Sequence, residues 1–247
     1  SPGIISSDSN HVLKVNWNDL DELQAQFEKH ANEIACFISS PYDHPVSKDN
    51  ELPKEGYWEG VSKLCKKHDV LLIIDDVRAG FRINLSGSNV EYGFKPDLIC
   101  FGKAIANGHA LSALVGTNEI KEVAEKVYFT GTQFFSAPPM AAACATLKEL
   151  KKVDAANKMT EYGKKLNESL VNAAEQNGFN LIASGIPAMP YYRLDGVDTK
   201  THFKWIDECV KRGVYMVGYH NHFISTCHSD EDIESITDIA RQAFSAL

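Results

Sequence analysis

Two short apolar runs, each cut off by charged residues, dominate the pattern of this chain. Val70 to Ile74 is unbroken and stops at Asp75-Asp76, and Leu98 to Phe101 is unbroken and stops at Gly102-Lys103. Runs of this length bounded by polar residues predict strands buried on both faces, the kind found in parallel sheets. Glu33 to Ile38 and Leu111 to Gly116 predict two further strands. Between them, apolar residues recur with helical spacing. Leu20, Leu23 and Phe27 share one face behind an Asn18 cap, and Tyr57, Val61, Leu64 and Cys65 share one face between about Lys54 and His68. The second of these helices carries the chain from one strand to the next as a βαβ crossover.

Downstream, Ile83 to Phe94 is polar and predicts a loop, Asn118 caps a short helix to Lys126, and an alanine-rich helix starts near Met140. The character changes at Lys151. A charged helical stretch runs from Asp154 to Asn177 and ends at Gly178, a C-cap residue. Short strands at Phe179 to Ala183, Met189 to Leu194 and Val214 to Val217 alternate with a helix near Lys200 to Arg212. Ser229, with Asp230 and Asp232 in the first turn, caps a last helix to Leu247. The chain thus divides into residues 1–153 and 154–247. Ser1 to Asn10 lacks periodicity and predicts a surface loop or frayed end.

Composition narrows the function classes. A formal charge of -8 over 247 residues, with no basic block, argues against nucleic acid. No apolar stretch approaches the roughly 18 residues of a membrane span, and the N-terminus shows no export signal. Six scattered cysteines without a C-x-x-C pair predict free, buried thiols in a reducing cytoplasm.

Candidate chemistry lies at the ends of the two apolar runs. Open α/β sheets bind ligands beyond the carboxyl ends of their strands, so Asp75 and Lys103 share one expected pocket. A carboxylate can hold the ring nitrogen of pyridoxal phosphate protonated, while a lysine amine holds its aldehyde carbon as a Schiff base. A phosphate-binding P-loop is excluded because position 97 is Asp and Ala104 stands where Ser or Thr is required. Adjacent strand residues point to opposite faces, so Asp75 and Asp76 do not make a metal pair by themselves. His220, His222 and His228 form the one histidine cluster, and no metal is assigned to it.

The motifs Asp75-Asp76-Val77, Gly80-Phe81-Arg82, Pro96-Asp97-Leu98 and Gly102-Lys103, followed by Gly108, resemble those of class-III pyridoxal-phosphate aminotransferases of fold type I. The resemblance is to the branch around glutamate-1-semialdehyde 2,1-aminomutase. It implies an α/β fold: part of a large, mostly parallel-sheet domain over 1–153 and a small C-terminal α+β domain over 154–247. It also implies pyridoxal 5'-phosphate as cofactor, Lys103 as the Schiff-base lysine, Asp75 as partner of the pyridine nitrogen and Val77 against the ring. Thr132, in Gly131-Thr132, matches a threonine that reaches the cofactor phosphate of a neighbouring subunit, so a homodimer is expected. His44 and His220 are candidates for the substrate pocket.

The chain departs from the family at two places. Ser40 stands in Ser39-Ser40-Pro41 where a glutamate is usual, and His220 falls where the aminomutase carries a glutamate. The second change favours amino transfer between two small molecules, through a lysine-bound and a pyridoxamine form of the cofactor, over the mutase reaction. The remaining alternative is a non-catalytic binding chain derived from the family. The matched motifs are those of the C-terminal part of a family member, so the phosphate cradle is expected from the same or a companion polypeptide.

Overall fold

A computed structural model describes residues 5, 7 and 10–247, so most of the Ser1 to Asn10 segment lies outside the described residues. The first helix, α1 (Leu20–Lys29), is capped by Asp19, whose side chain accepts the Glu22 N–H, and not by Asn18. Asn18 instead reaches across to Glu51 and Leu52 and accepts the Lys54 N–H. Strand β1 (Cys36–Ser39) follows, then α2 (Tyr57–His68) and β2 (Leu71–Asp75). The polar stretch after Arg82 contains one helical turn, α3 (Ser88–Glu91), before β3 (Leu98–Phe101). A 3-10 turn at Lys103–Ala106 leads to β4 (Ala113–Gly116) and to α4 (Asn118–Ala124), which has Thr117 at its N-cap position.

These strands form one sheet in the order β1-β2-β3-β4. The first three are parallel, β1 and β2 being joined by the crossover helix α2, and β4 runs antiparallel to β3. One face is covered: Leu72 and Ile74 pack with Leu23, Phe27, Trp58, Val61 and Phe94. The Trp58 ring stacks on Phe94 at 4.3 Å, and its indole N–H donates to the Pro41 carbonyl. The other face is open, with Ile38, Leu71 and Leu114 exposed. The expectation of strands buried on both faces is therefore corrected. An unbroken apolar run encodes two faces to be covered, and among the described residues only one has its cover.

Beyond the sheet, α5 (Ala137–Lys152) starts with Pro138 and Pro139 in its first turn, where a missing N–H costs nothing. It leads to α6 (Ala155–Glu175), β5 (Asn180–Ser184), β6 (Tyr191–Asp195), α7 (Thr199–Lys211) and α8 (Asp230–Phe244). Gly178 ends α6 with φ +80, and Ser229 with Asp232 forms a reciprocal capping box on α8. The antiparallel pair β5-β6 lies over a second apolar cluster that includes Met159, Leu170, Leu194, Trp205 and Phe244. Val214 to Val217 is not a strand. Among the described residues no ladder partner lies beside it, and the Val217 N–H bonds instead to the His222 ring.

The segment from Tyr42 to Pro53 ties the two parts together. Arg193 of β6 grips Asp49 through Nε and Nη2 at 2.9 and 2.8 Å, Asn50 bonds Ser184, and the Ser47 N–H donates to the Tyr219 carbonyl. Of the six cysteines, all free, only Cys65 and Cys209 are buried. Cys36, Cys144 and Cys227 are exposed, which corrects the expectation of generally buried thiols.

Candidate active site

Parallel pairing sets Asp75 beside Cys100, so the carboxyl ends of β2 and β3 finish side by side. Beyond them the chain delivers the two predicted groups, Asp75 and Lys103, to one end of the sheet. Asp75 Oδ1 accepts the Val77 N–H at 3.1 Å, a local turn that fixes the carboxylate. Its other oxygen has no bonding partner among the described residues. Val77 then closes on the start of the lysine turn: a β-carbon placed on Gly102 would stand 3.2 Å from Val77 Cγ1. Lys103 itself takes φ 43, the left-handed region that costs a non-glycine residue on the order of 1–2 kcal/mol. Its side chain is exposed, with no salt bridge among the described residues.

Asp76 points the opposite way, as strand alternation requires. It is 1% exposed, and accepts the Ser88 N–H at 2.8 Å and the Ser88 hydroxyl at 2.6 Å. Burial raises its pKa above the usual carboxylate value, and the Ser88 bonds pull it back. The acid of this pair that faces the site is therefore Asp75 alone.

His44 and His220 both approach this end of the sheet. His44 Nδ1 and its carbonyl each accept from Arg78 Nη1 at 3.0 Å. Burial, and then the Arg78 charge, lower its pKa to about 4, while Asp75 pulls the other way. The ring is thus neutral, with its remaining proton on Nε2. Arg78 Nη1 also donates to Asn221 Oδ1 at 3.2 Å, which brings the segment carrying His220 to the same place. His220 lines a cavity of about 460 Å³ with Leu166, Tyr192, Tyr219 and Ile236. That cavity contains neither Asp75 nor Lys103.

The three C-terminal histidines do not converge. His222 Nε2 accepts the Val217 N–H, and His228 Nδ1 accepts the Ser225 N–H. Among the described residues no group of three His, Cys, Asp or Glu side chains could hold a metal. Thr132 lies apart on an exposed segment that also carries Tyr128, Phe129 and Phe135, which are 92%, 79% and 82% exposed. Arg78, Ser88 and Asn221 were not singled out by sequence reasoning. Arg78 sits inside the DDVRAGFR motif, but its partners are 34 and 143 residues away, and no local pattern announces them.

A mainly parallel sheet whose neighbouring strands end in an acid and a lysine, followed by a small antiparallel-sheet domain, defines an α/β enzyme fold of the pyridoxal-phosphate transferase type, fold type I. The chain belongs to the class-III aminotransferases, whose family model matches residues 5–244. It is 35% identical over 246 residues to an aminopentol aminotransferase of Sphingopyxis macrogoltabida, covering 99% of this chain and 58% of that protein. It is 31% identical over 264 residues to a glutamate-1-semialdehyde 2,1-aminomutase of Legionella pneumophila, covering 61% of that protein. Among solved structures, the pyridoxal-phosphate internal aldimine form of the FumI protein of Sphingopyxis sp. MTA144 superposes with a TM-score of 0.96 at 35% identity, over 60% of its length. The chain therefore spans about three fifths of the proteins it matches.

Proposed function

We propose that this chain carries the reactive portion of a pyridoxal-phosphate-dependent aminotransferase that moves an amino group between two small molecules. One observation carries the reading: Asp75 and Lys103 stand at the carboxyl ends of adjacent parallel strands, with Val77 packed against the intervening Gly102. The donor set suits the cofactor. Asp75 keeps one carboxylate oxygen free to accept a ring N–H, and Lys103 offers a primary amine free of any ion pair among the described residues.

Bound there, pyridoxal phosphate would supply the electron sink that lets an amine be exchanged. Asp75 would keep the ring nitrogen protonated, Val77 would cover one ring face, and Lys103 would anchor the group by its amine. The same amine, once free, is the base that takes and returns a proton at Nζ. Thr132 would reach the cofactor phosphate of a second copy, which makes the working form a homodimer. His44 and His220 would line the substrate side. The large-domain portion would be residues 1–153 and the small domain 154–247, with the phosphate cradle contributed by the same or a companion polypeptide. The free cysteines support a cytoplasmic setting.

Transfer is favoured over the mutase reaction because His220, whose Nδ1 bonds to the Asn221 carbonyl, falls where the aminomutase carries a glutamate. The test is mass analysis of the full-length protein after borohydride reduction. The cofactor mass on the Lys103 peptide is expected, and its absence there would overturn the proposal.

A further inference from the structure

The sheet fixes Asp75 and Lys103, but His44 belongs to no strand or helix. It lies on the irregular stretch 44–50, closed at its base by Asp43 and Glu51, each of which donates its N–H to the other's carbonyl at 2.9 Å. Such a stretch has no ladder of its own, so the place of the histidine is set by whatever holds the loop. On the sheet side that is Arg78, which donates to His44 Nδ1 and to the His44 carbonyl. The ring so placed lies close enough to Asp75 and to His220 for the charge of each to act on it.

The small domain supplies further ties at the opposite end of the stretch. Arg193 holds Asp49 with Nε and Nη2, and Asp195 on Nη1 at 2.7 Å steadies the guanidinium in turn. With side chains 33% and 39% exposed, the Arg193–Asp49 pair alone would contribute little. Its neighbour Asn50 is the buried part of the hold. Asn50 is 8% exposed, its N–H donates to Ser184 Oγ at 2.9 Å, and its Nδ2 donates to the Ser184 carbonyl at 3.2 Å. Gly185 leaves room for it: φ is +88, and a β-carbon there would stand 2.4 Å from Asn50 Nδ2. The Ser47 N–H donates to the carbonyl of Tyr219, the residue before His220. Ser184 and Arg193 are both residues of the β5-β6 ladder, so the loop takes its rigidity from paired strands.

We propose that Asp49 and Asn50 are positioning residues, through which the β5-β6 sheet of the small domain seats His44 at the Asp75 end of β2. The inference rests on the aminotransferase reading, in which His44 lines the substrate side. It divides the work of placing the site: β2 and β3 set the groups that meet the cofactor, and β5 and β6 set the histidine that meets the substrate. Cut loose from Arg193 and Ser184, the stretch 44–50 keeps Arg78 but loses its far support, and the His44 ring opens to water.

The experiment uses the full-length enzyme loaded with pyridoxal phosphate and follows the His44 ring by nuclear magnetic resonance, its signal identified by loss in His44→Gln. A seated ring resists protonation down to about pH 4, whereas a ring opened to water titrates near 6.5. Arg193→Gln combined with Asn50→Ala should carry the titration most of the way to 6.5, and each change alone part of the way. Arg193→Lys keeps the charge and should recover part of the shift. Arg241→Gln removes an ion pair to Asp238 elsewhere in the small domain and should leave the ring where it is. Thermal unfolding of the same samples distinguishes seating from general support. A lowered melting temperature with the ring still near 4 in the double variant overturns the proposal, as does a wild-type ring at 6.5 or an equal shift in Arg241→Gln. Should Arg193→Gln not fold, Asp49→Asn with Asn50→Ala decides the matter from the loop side. Cofactor mass on the Lys103 peptide separates the two readings: with it present and the ring unmoved, only the positioning role fails, and without it the aminotransferase reading fails whatever the ring does.

Discussion

Val77 and Gly102 touch across the gap between two strand ends, so closely that a β-carbon on Gly102 would lie 3.2 Å from Val77 Cγ1. Gly102 has φ -167, extended backbone that any residue adopts, so the glycine is required by space and not by conformation. A larger residue there must displace Val77, the side chain assigned to the cofactor ring. Gly102→Val is expected to fold and to hold the cofactor roughly tenfold more weakly, the loss of about one well-packed apolar contact. Cofactor release from the full-length protein, followed by its visible absorbance, checks this. Unchanged release alongside an unchanged melting temperature would show that Val77 is not a wall of the site.

The Asp76 carboxylate depends on Ser88 for two of its bonds, one from the N–H and one from the hydroxyl. Ser88→Ala removes the hydroxyl donor and leaves a buried charge short of a partner, at a cost of about 1.5–3 kcal/mol near neutral pH. The sign with pH follows from the raised pKa of Asp76. The folded protein takes up this proton more readily than the unfolded chain, so the group's contribution to stability falls as pH rises from the ordinary carboxylate value through the raised one. The Ser88→Ala penalty should shrink at acidic pH, where the protonated acid no longer needs two donors. Urea denaturation at pH 7 and in the acid range measures it. A penalty that grows on acidification would contradict the assignment.

The candidate site was legible in the sequence where a sharp local change in polarity marks it. Asp75 and Lys103 each end an apolar run, and those runs, β2 and β3, pair side by side across the connection that contains α3. Ser229 and Gly178 were likewise legible, because cap chemistry is local. What escaped was set by distance or by competition between neighbours. Asn18 and Asp19 are both good caps, and only the long-range bonds of Asn18 to the Glu51–Lys54 segment leave the role to Asp19. Val214 to Val217 has the composition of a strand but no ladder partner among the described residues. Arg78 reads as an ordinary surface cation until His44 and Asn221 are brought to it.

His44 should not carry the pH dependence of activity near neutrality. Burial first, and the Arg78 charge second, lower its pKa to about 4, so the ring is uncharged across the range in which enzymes usually work. The linkage is that of a depressed base. The unfolded chain takes the proton near the ordinary histidine value and the folded protein resists it until about 4, so stability is complete above the ordinary value and is lost as pH falls through this window. After solvent screening the swing is about 2 kcal/mol. His44→Gln is expected to flatten the stability profile between those limits, read by chemical denaturation at several pH values. A ring titration near pH 6.5 in nuclear magnetic resonance would contradict it.

Gly163 provides the sharpest test of how the small domain is packed. It lies mid-helix in α6, where a glycine is unfavourable by about 1 kcal/mol relative to alanine, so propensity alone predicts that Gly163→Ala stabilises. The packing predicts the reverse. A β-carbon at this position would stand 1.9 Å from the Pro187 carbonyl oxygen and 2.4 Å from its carbon, and both atoms are backbone and cannot rotate away. The helix must therefore move off the turn between β5 and β6, which carries Ala188 and Met189, residues 1% and 0% exposed in the core beneath. Close packing makes such overfilling cost about 1–3 kcal/mol, and backbone contact places the expected loss at the upper end. Thermal unfolding of Gly163→Ala should show a clear drop in melting temperature, with the Ser184 to Asn50 bonds weakened because they spring from the same turn. A gain in stability would mean that α6 and the Pro187 turn do not approach as closely as this packing requires.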